Sequence, residues 1–292
     1  MLYNLLRACN NRYNRSRCTG CSYTANCPHD CGKCLSYVHY PDRAPAPRKY
    51  DCKRMMDYYV CKYACKYASE MYYAFSSCRD IQRNRKLNIL SFGCGPCTDL
   101  LAVEQLQQDG QYHCNQVEYL GIEIDTDIWN NVHTDIVTVA PSNYNIQFVE
   151  ADACQYIDHL QRVEWRPDVI VLQYVFSDMY KHCNHAQVNH FVSDLAAYIE
   201  SCPRNTYVIC NDINLSVGYG GGREYFDKLL HKLTCQTQYC SCHFNNSNRP
   251  NHYEYGDEYP DNSLIFVIPQ YLAQYEPYET CASAQMIIKK VN

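Results

Sequence analysis

Nowhere in this chain do about 18 apolar residues follow one another, so no membrane-crossing helix is expected. The opening MLYNLLRACNNR holds too short an apolar stretch for a secretory leader, and a soluble, cytoplasmic protein is expected. No internal repeat is evident. Neither charge nor apolar content is extreme: 20% charged and 47% hydrophobic residues describe a globular chain and exclude a disordered one. The 292 residues have the length for one large domain or two, with a sizeable core.

Cysteine is what the chain has in excess. There are 21, an odd number, and ten of them fall before residue 79. A cytoplasmic chain keeps its thiols reduced, so a dense cluster points to metal rather than to disulfides. The scattered ones, such as Cys114, Cys183, Cys202 and Cys210, read as small buried hydrophobes. Charge is uneven as well. Residues 1–86 carry 16 Lys and Arg against 6 Asp and Glu, and the remainder carries 10 against 25, so +10 and −15 lie inside the net −5. A basic, tyrosine-bearing front points to a polyanionic partner, RNA or another nucleic acid, or else to a face that docks on the acidic body.

Residues 1 to about 40 read without helical or strand period, and HYPDRAPAPRKY (39–50) reads as an extended linker. From Met55 to about Ser77 there is neither glycine nor proline, and a helix is expected. From Leu87 onward strand-like and helix-like runs alternate. Strands are expected at 88–92, 118–124, 145–151, 168–174 and 206–212, and helices at 98–108, 126–139, 153–162, 185–201 and 222–233. Five such units predict an α/β fold with a doubly wound, mostly parallel sheet and helices on both faces. Beyond Thr234, SLIFVIP (263–269) and AQMIIKK (284–290) are expected to form an antiparallel hairpin at the sheet's edge.

In a doubly wound sheet, ligands lie beyond the carboxyl ends of the strands. The first β–α turn is Gly93-Cys94-Gly95-Pro96-Cys97; it lacks the third glycine of a dinucleotide fingerprint, and no G-x-x-x-x-G-K-[ST] phosphate loop is present. Glu123 ends the second strand, 30 residues after Gly93, and Asp152 follows the third, 29 residues further on. A carboxylate at the first tip can accept both hydroxyls of a ribose, and one at the second suits an adenine amino group.

In order and spacing, ILSFGCGPC, YLGIEID and FVEADACQY resemble the glycine, ribose and adenine motifs of the class I S-adenosylmethionine-dependent methyltransferases. The resemblance covers 87 to about 233, half of the chain. It implies a seven-stranded-type sheet, with Gly93 and Gly95 against the methionine part of the cofactor. It also implies Glu123 on the ribose, Asp152 and Ala153 at the adenine, and Gln173 in the cofactor site. Cys97 stands where that family usually has a third small residue, so a geometric adjustment is expected there. The other reading is a Rossmann-like domain holding an NAD-type ligand or none.

Acceptor-side residues in this family follow the fourth strand, which brings in Gln173, Tyr174, Ser177, Asp178 and Tyr180. Tyr174 and Asp178 are the catalytic candidates: methyl transfer needs in-line positioning, and a base only where the acceptor holds a proton. Asp178 is read as that base or as a helix cap. The [DNS]-P-P-[FYW] motif of exocyclic amine methylation is missing, and no Pro-Cys follows the fourth strand. Gly218, Gly220, Gly221 and Gly222 read as a substrate lid or as a loose lead-in to a helix.

At the front, Cys18-x2-Cys21 and Cys31-x2-Cys34 have the spacing of a four-cysteine zinc site. Cys27 and Cys52, with His29, His39, Cys9, Cys61 and Cys65, are available for a second ion. Cys27-x3-Cys31-x2-Cys34 also has an iron–sulfur spacing, in a chain with no barrel behind it. The expected organisation is a small, irregular, zinc-stabilised module at 1–50, a connecting helix at 51–86, and a cofactor-binding domain at 87–292. Three functions follow. They are methyl transfer to RNA or another polyanion, methyl transfer to a protein or small molecule with the module as a partner platform, and non-catalytic binding of cofactor or nucleic acid.

Overall fold

The computed structural model describes residues 1–18, 27–46, 48–215, 221–245 and 253–292. Leu2, Leu5, Leu6 and Cys9 recur at helical spacing, and the chain begins in a helix, α1 (Leu2–Arg15), in place of the aperiodic start expected. The next helix, α2 (Cys31–His39), repeats the pattern by turning Cys31, Cys34, Leu35 and Val38 inward. Both pack on α3 (Lys53–Ser76), which is buried from Met55 to Phe75 on all but its outermost side chains. The expected connecting helix is therefore a core helix. The stretch 39–50 is not an extended linker either. It makes a 3₁₀ turn at Pro41–Arg43 and buries the Arg48 side chain.

The basic front of the chain meets the body through opposite charges. Arg12 binds Asp135, Lys53 binds Asp127 at 2.8 Å and the N-terminal ammonium binds Glu104 at 2.9 Å, while Asp57, within the front itself, also holds Arg12 at 2.8 Å.

Five strands form the parallel part of the sheet: β1 (Lys86–Phe92), β2 (Gln116–Glu123), β3 (Tyr144–Glu150), β4 (Val169–Gln173) and β5 (Tyr207–Ile213). Their order is β3-β2-β1-β4-β5, so the chain reverses direction across the sheet between β1 and β4. The helices that cover them start where capping residues stand. Asp125 caps α5 (Thr126–Val139), Asp152 caps α6 (Ala153–Arg162), and Asn184 with Gln187 makes a capping box on α8 (His185–Ser201). The remaining crossovers are α4 (Thr98–Gln108), the short α7 (Val175–His182) after β4, and α9 (Glu224–Lys232). The expected doubly wound α/β fold is the observed one.

The far edge departs from expectation. Residues 263–269 do not pair with 284–290. The last strand, β8 (Ser283–Lys290), runs antiparallel between β5 and β6 (Thr237–His243), with the two-residue β7 (Asp257–Glu258) outermost. The run at 263–269 packs on α3 instead, where the Ile265 and Phe266 amides donate to Ser69 Oγ. Among the described residues, no helix is long and apolar enough to cross a membrane.

Candidate active site

The strand order reverses between β1 and β4, and the glycine turn lies at that crevice. Gly93 and Gly95 adopt φ of +56° and +43°, values that a side chain strains, and a Cβ on Gly93 would come 3.0 Å from Val175 Cγ2. Cys97 shows the expected adjustment. It takes φ +52° at the N-cap of α4, the left-handed geometry that a glycine would hold without strain.

Glu123, at the tip of β2, faces this turn. Its carboxylate accepts the Gly95 amide at 3.0 Å and the Ile124 amide at 3.0 Å. Burial raises it to about 7 in spite of those two donors. Asp152 stands at the next tip, where its carboxylate accepts the Cys154 amide at 2.8 Å as the cap of α6, and Ala153 is the first residue of that helix. Glu123 and Asp152 thus occupy adjacent strand ends, since Glu123 pairs with Glu150 and the Ala151 amide donates to the Glu123 carbonyl at 2.9 Å.

Gln173 ends β4 and ties two helices to it. Its Oε1 accepts from Thr98 Oγ1 at 2.6 Å, and its Nε2 donates to the Tyr67 carbonyl at 2.9 Å. Tyr174 follows with φ +59°, which aims its ring away from α7 and towards α3. The ring stacks on Tyr67 with centroids 4.2 Å apart, Tyr67 stacks on Tyr63 at 5.2 Å, and Tyr63 on Tyr278 at 5.5 Å. This ladder of four rings walls a cavity of about 880 Å³, into which Lys66, Tyr50 and Asp178 also face.

Lys66 Nζ lies over the faces of Tyr67 and Tyr174 at 4.9 and 5.0 Å, and its partner Glu70 is fully buried at 2.7 Å. Glu70 is in turn held by the Ala282 amide at 3.0 Å and by Asn211 at 3.3 Å.

Asp178, one turn along α7, is raised by burial to about 6, opposed by Lys181 and by a hydrogen bond from Tyr50. It does not cap α8; Asn184 does. Asp212 at the tip of β5 is a further acid that the sequence reading did not single out. It accepts the Ser177 and Ile213 amides at 2.9 and 2.7 Å, and burial raises it to about 6. Gly222 covers it so closely that a Cβ there would come 2.3 Å from Asp212 Oδ2. Gly222 is therefore a packing residue at the start of the path to α9, and Gly218 and Gly220 lie outside the described residues.

The cysteines of the front converge. The ligand atoms of Cys18, Cys27 and His29 all lie within 4.8 Å of one another. Cys18 and Cys31 share one donor, Arg54 Nη1, at 3.3 Å and 3.7 Å from their Sγ atoms. Cys21 lies outside the described residues. His39 is not near this group: it sits in the cavity wall, 3.2 Å from Tyr50 Oη, and burial lowers it to about 3. Cys9, Cys61 and Cys65 are packed in the core between α1 and α3.

No protein-family model matches the chain, and no curated protein does. Among solved structures, the chain is similar to an S-adenosylmethionine-bound amino pentose methyltransferase from Micromonospora echinaspora, at 11% identity and a TM-score of 0.33, over 49% of this chain and 50% of that one. It is also similar to precorrin-6y C5,15-methyltransferase from Geobacter metallireducens, at 9% identity and 0.42 over 76% and 88% of the two chains. A third is an rRNA methylase from Streptococcus thermophilus, at 4% and 0.43 over 75% and 95%. The chain thus spans about half the length of the first of these. Scores this low leave function to the residues themselves.

Proposed function

We propose that the chain is an S-adenosylmethionine-dependent methyltransferase whose acceptor carries a planar ring that enters the tyrosine-walled cavity. The observation that carries this reading is the Gly95 amide on the Glu123 carboxylate, at a turn where a side chain on Gly93 would meet Val175. That cradle suits the cofactor, with Gly93 and Gly95 along its methionine part, Glu123 on the ribose and Asp152 with Ala153 at the adenine. The cofactor supplies a methyl group on a positive sulfur. The chain's own part is to hold the acceptor in line with that methyl and to accept a proton where the acceptor has one. Stacking on Tyr67 and Tyr174 serves the first task, and Asp178, ionised above about pH 6, serves the second.

RNA is the second reading, favoured by the +10 of the front and by the fact that a base turned out of its stack fits a ring-lined pocket. Against it, Arg12 and Lys53 of that front are engaged by the body carboxylates Asp135 and Asp127, so a small-molecule acceptor is the first choice. We also propose that Cys18, Cys21, Cys27, Cys31, Cys34 and Cys52 hold zinc, whose role is to tie the segment before α2 to α3.

The test is incubation of the protein with methyl-labelled S-adenosylmethionine and separate fractions of small molecules, RNA, DNA and protein. Label in the small-molecule fraction supports the first reading, and label in RNA with salt-dependent binding moves the assignment to the second. Calorimetric cofactor binding without turnover on any fraction leaves a non-catalytic binding protein.

A further inference from the structure

The C-x2-C of the glycine turn has a third partner that comes from a different helix. Cys94, Cys97 and His133 are each nine-tenths or more buried, and their two Sγ atoms and imidazole nitrogen all lie within 4.8 Å of one another. Cys94 Sγ is 4.0 Å from His133 Nε2. Cys97 Sγ and His133 Nε2 address the same atom, the Gly95 carbonyl oxygen, at 3.7 and 2.8 Å. His133, on α5, is fixed in this direction by its ring lying flat on Phe148, 3.8 Å away and 5° from parallel. Cys94 is fixed from β2, where a side chain on Gly121 would come 2.7 Å from its sulfur.

We propose that Cys94, Cys97 and His133 form a buried zinc site beneath the glycine turn, with the Gly95 carbonyl as the fourth donor. Zinc binds thiolate sulfur at about 2.3 Å and imidazole nitrogen at about 2.0–2.1 Å, which sets sulfur–nitrogen separations of roughly 3.5–4 Å around one ion. The observed 4.0 Å from Cys94 to His133 is of that size. Two thiolates and one divalent ion sum to zero charge, which is what a site this deeply buried requires. Both thiol protons leave on binding, and no electron moves. The ion would join β1's turn to α5. This proposal does not depend on methyl transfer or on zinc at the front of the chain.

Elemental analysis of the full-length protein tests it. A Cys31→Ser/Cys34→Ser protein, purified under reducing conditions and equilibrated with zinc, serves as the background that disables the front cluster. The expected result is one equivalent of zinc per chain in that background, lost on adding either Cys97→Gly or His133→Gln. Both substitutions preserve the fold. Glycine is at ease at the φ of +52° that Cys97 holds, and glutamine keeps a donor for the Gly95 carbonyl. Circular dichroism and cofactor calorimetry check that the variants are folded. Zinc content that is unchanged by both substitutions overturns the site. So does a background protein with no zinc at all, or a Cys94–Cys97 disulfide (a mass two daltons lower) that persists in reductant.

Discussion

Tyr174 Oη donates to Glu70 at 2.8 Å, and this hydrogen bond fastens the acceptor end of β4 to the middle of α3. Glu70 is fully buried and is balanced by Lys66 at 2.7 Å, whose Nζ borders the cavity. Removing one partner of a buried ion pair leaves the other uncompensated, which costs about 3–5 kcal/mol. Glu70→Ala is expected to destabilise the protein by that amount, whereas Tyr174→Phe should cost about 1.5–3 kcal/mol, the range for a hydrogen bond to a charged group. Urea unfolding of both variants checks the order, and equal losses would remove Glu70 as the centre of the network.

The fold was legible where one side chain in two or four had to be buried. The central strands are short apolar runs, and their helices carry caps at Asp125, Asp152 and Asn184, so both showed in the letters. The missed elements hide their signal in residue types with two meanings. In α1 and α2 the apolar stripe runs through Cys9, Cys31 and Cys34, which were weighed as ligands and not as a helix face. The strand β6, TQYCSCH, has a largely exposed polar surface and shows little alternation. Residues 263–269 look like a strand because they are apolar and include three β-branched residues, yet they pack as a cover on α3. At the site, the tips of β1 to β4 were legible because the motif order places them. Lys66 and Glu70 were not, since nothing in α3 says that its polar face turns into the cavity until the sheet is built. Asp212 carries no distinguishing signal of its own, since a single acid at a strand tip is common.

The cofactor acids separate by their structural duties. Glu123→Gln and Asp152→Ala are each expected to weaken S-adenosylmethionine binding by about 1.5–3 kcal/mol, the cost of a lost hydrogen bond to a charged group. Asp152 also caps α6, so Asp152→Ala carries a further stability loss of about 1 kcal/mol. Asp152→Ser keeps the cap and removes the carboxylate. Calorimetry on Asp152→Ser should show the weakened binding without the loss of stability. Wild-type affinity in both Glu123→Gln and Asp152→Ser would remove the ligand from these strand ends.

Stability should depend on pH through Glu123 in a defined direction. Its folded pKa of about 7 stands above the unfolded value of about 4.3, so between those values the folded protein holds a proton that the unfolded chain has released. The stability this contributes is fully present below about 4.3 and is lost as pH rises through 7. His39, which burial lowers to about 3, acts oppositely and loses stability as pH falls below about 6.5. The difference between Glu123→Gln and wild type isolates the acid. The variant should gain on wild type from about pH 4.5 to 7 and then level off. A difference that is flat over this range would place Glu123 in contact with solvent.

The cationic cofactor gives the same acids a second signature. Glu123 is half ionised at about pH 7, and Asp178 and Asp212 at about pH 6, so all three gain charge between pH 6 and 8. A positive sulfonium bound among them gains from their charge, and the neutral thioether product does not. Affinity for S-adenosylmethionine should therefore fall as pH drops from 8 to 6, while affinity for S-adenosylhomocysteine changes less. Calorimetry of both ligands over that range measures the contrast, and parallel pH profiles would mean that the sulfur lies away from all three carboxylates.

Zinc at the front of the chain makes the last prediction. Cys31 and Cys34 occupy the first turn of α2 and face inward, with Arg54 Nη1 reaching both Cys31 and Cys18. Zinc binds cysteine as thiolate, so metal binding there would release the thiol protons. Cys34→Ser should lower the zinc content by one equivalent and loosen α2 from α3, seen as faster amide exchange over 31–39. The sheet has its own core around β1, β4 and β5, so cofactor binding should survive. If Cys34→Ser retains the zinc of the wild type, the inward cysteines of α2 are packing residues and the ion sits elsewhere; if the purified protein carries iron and acid-labile sulfide in place of zinc, the Cys27-x3-Cys31-x2-Cys34 spacing holds a cluster.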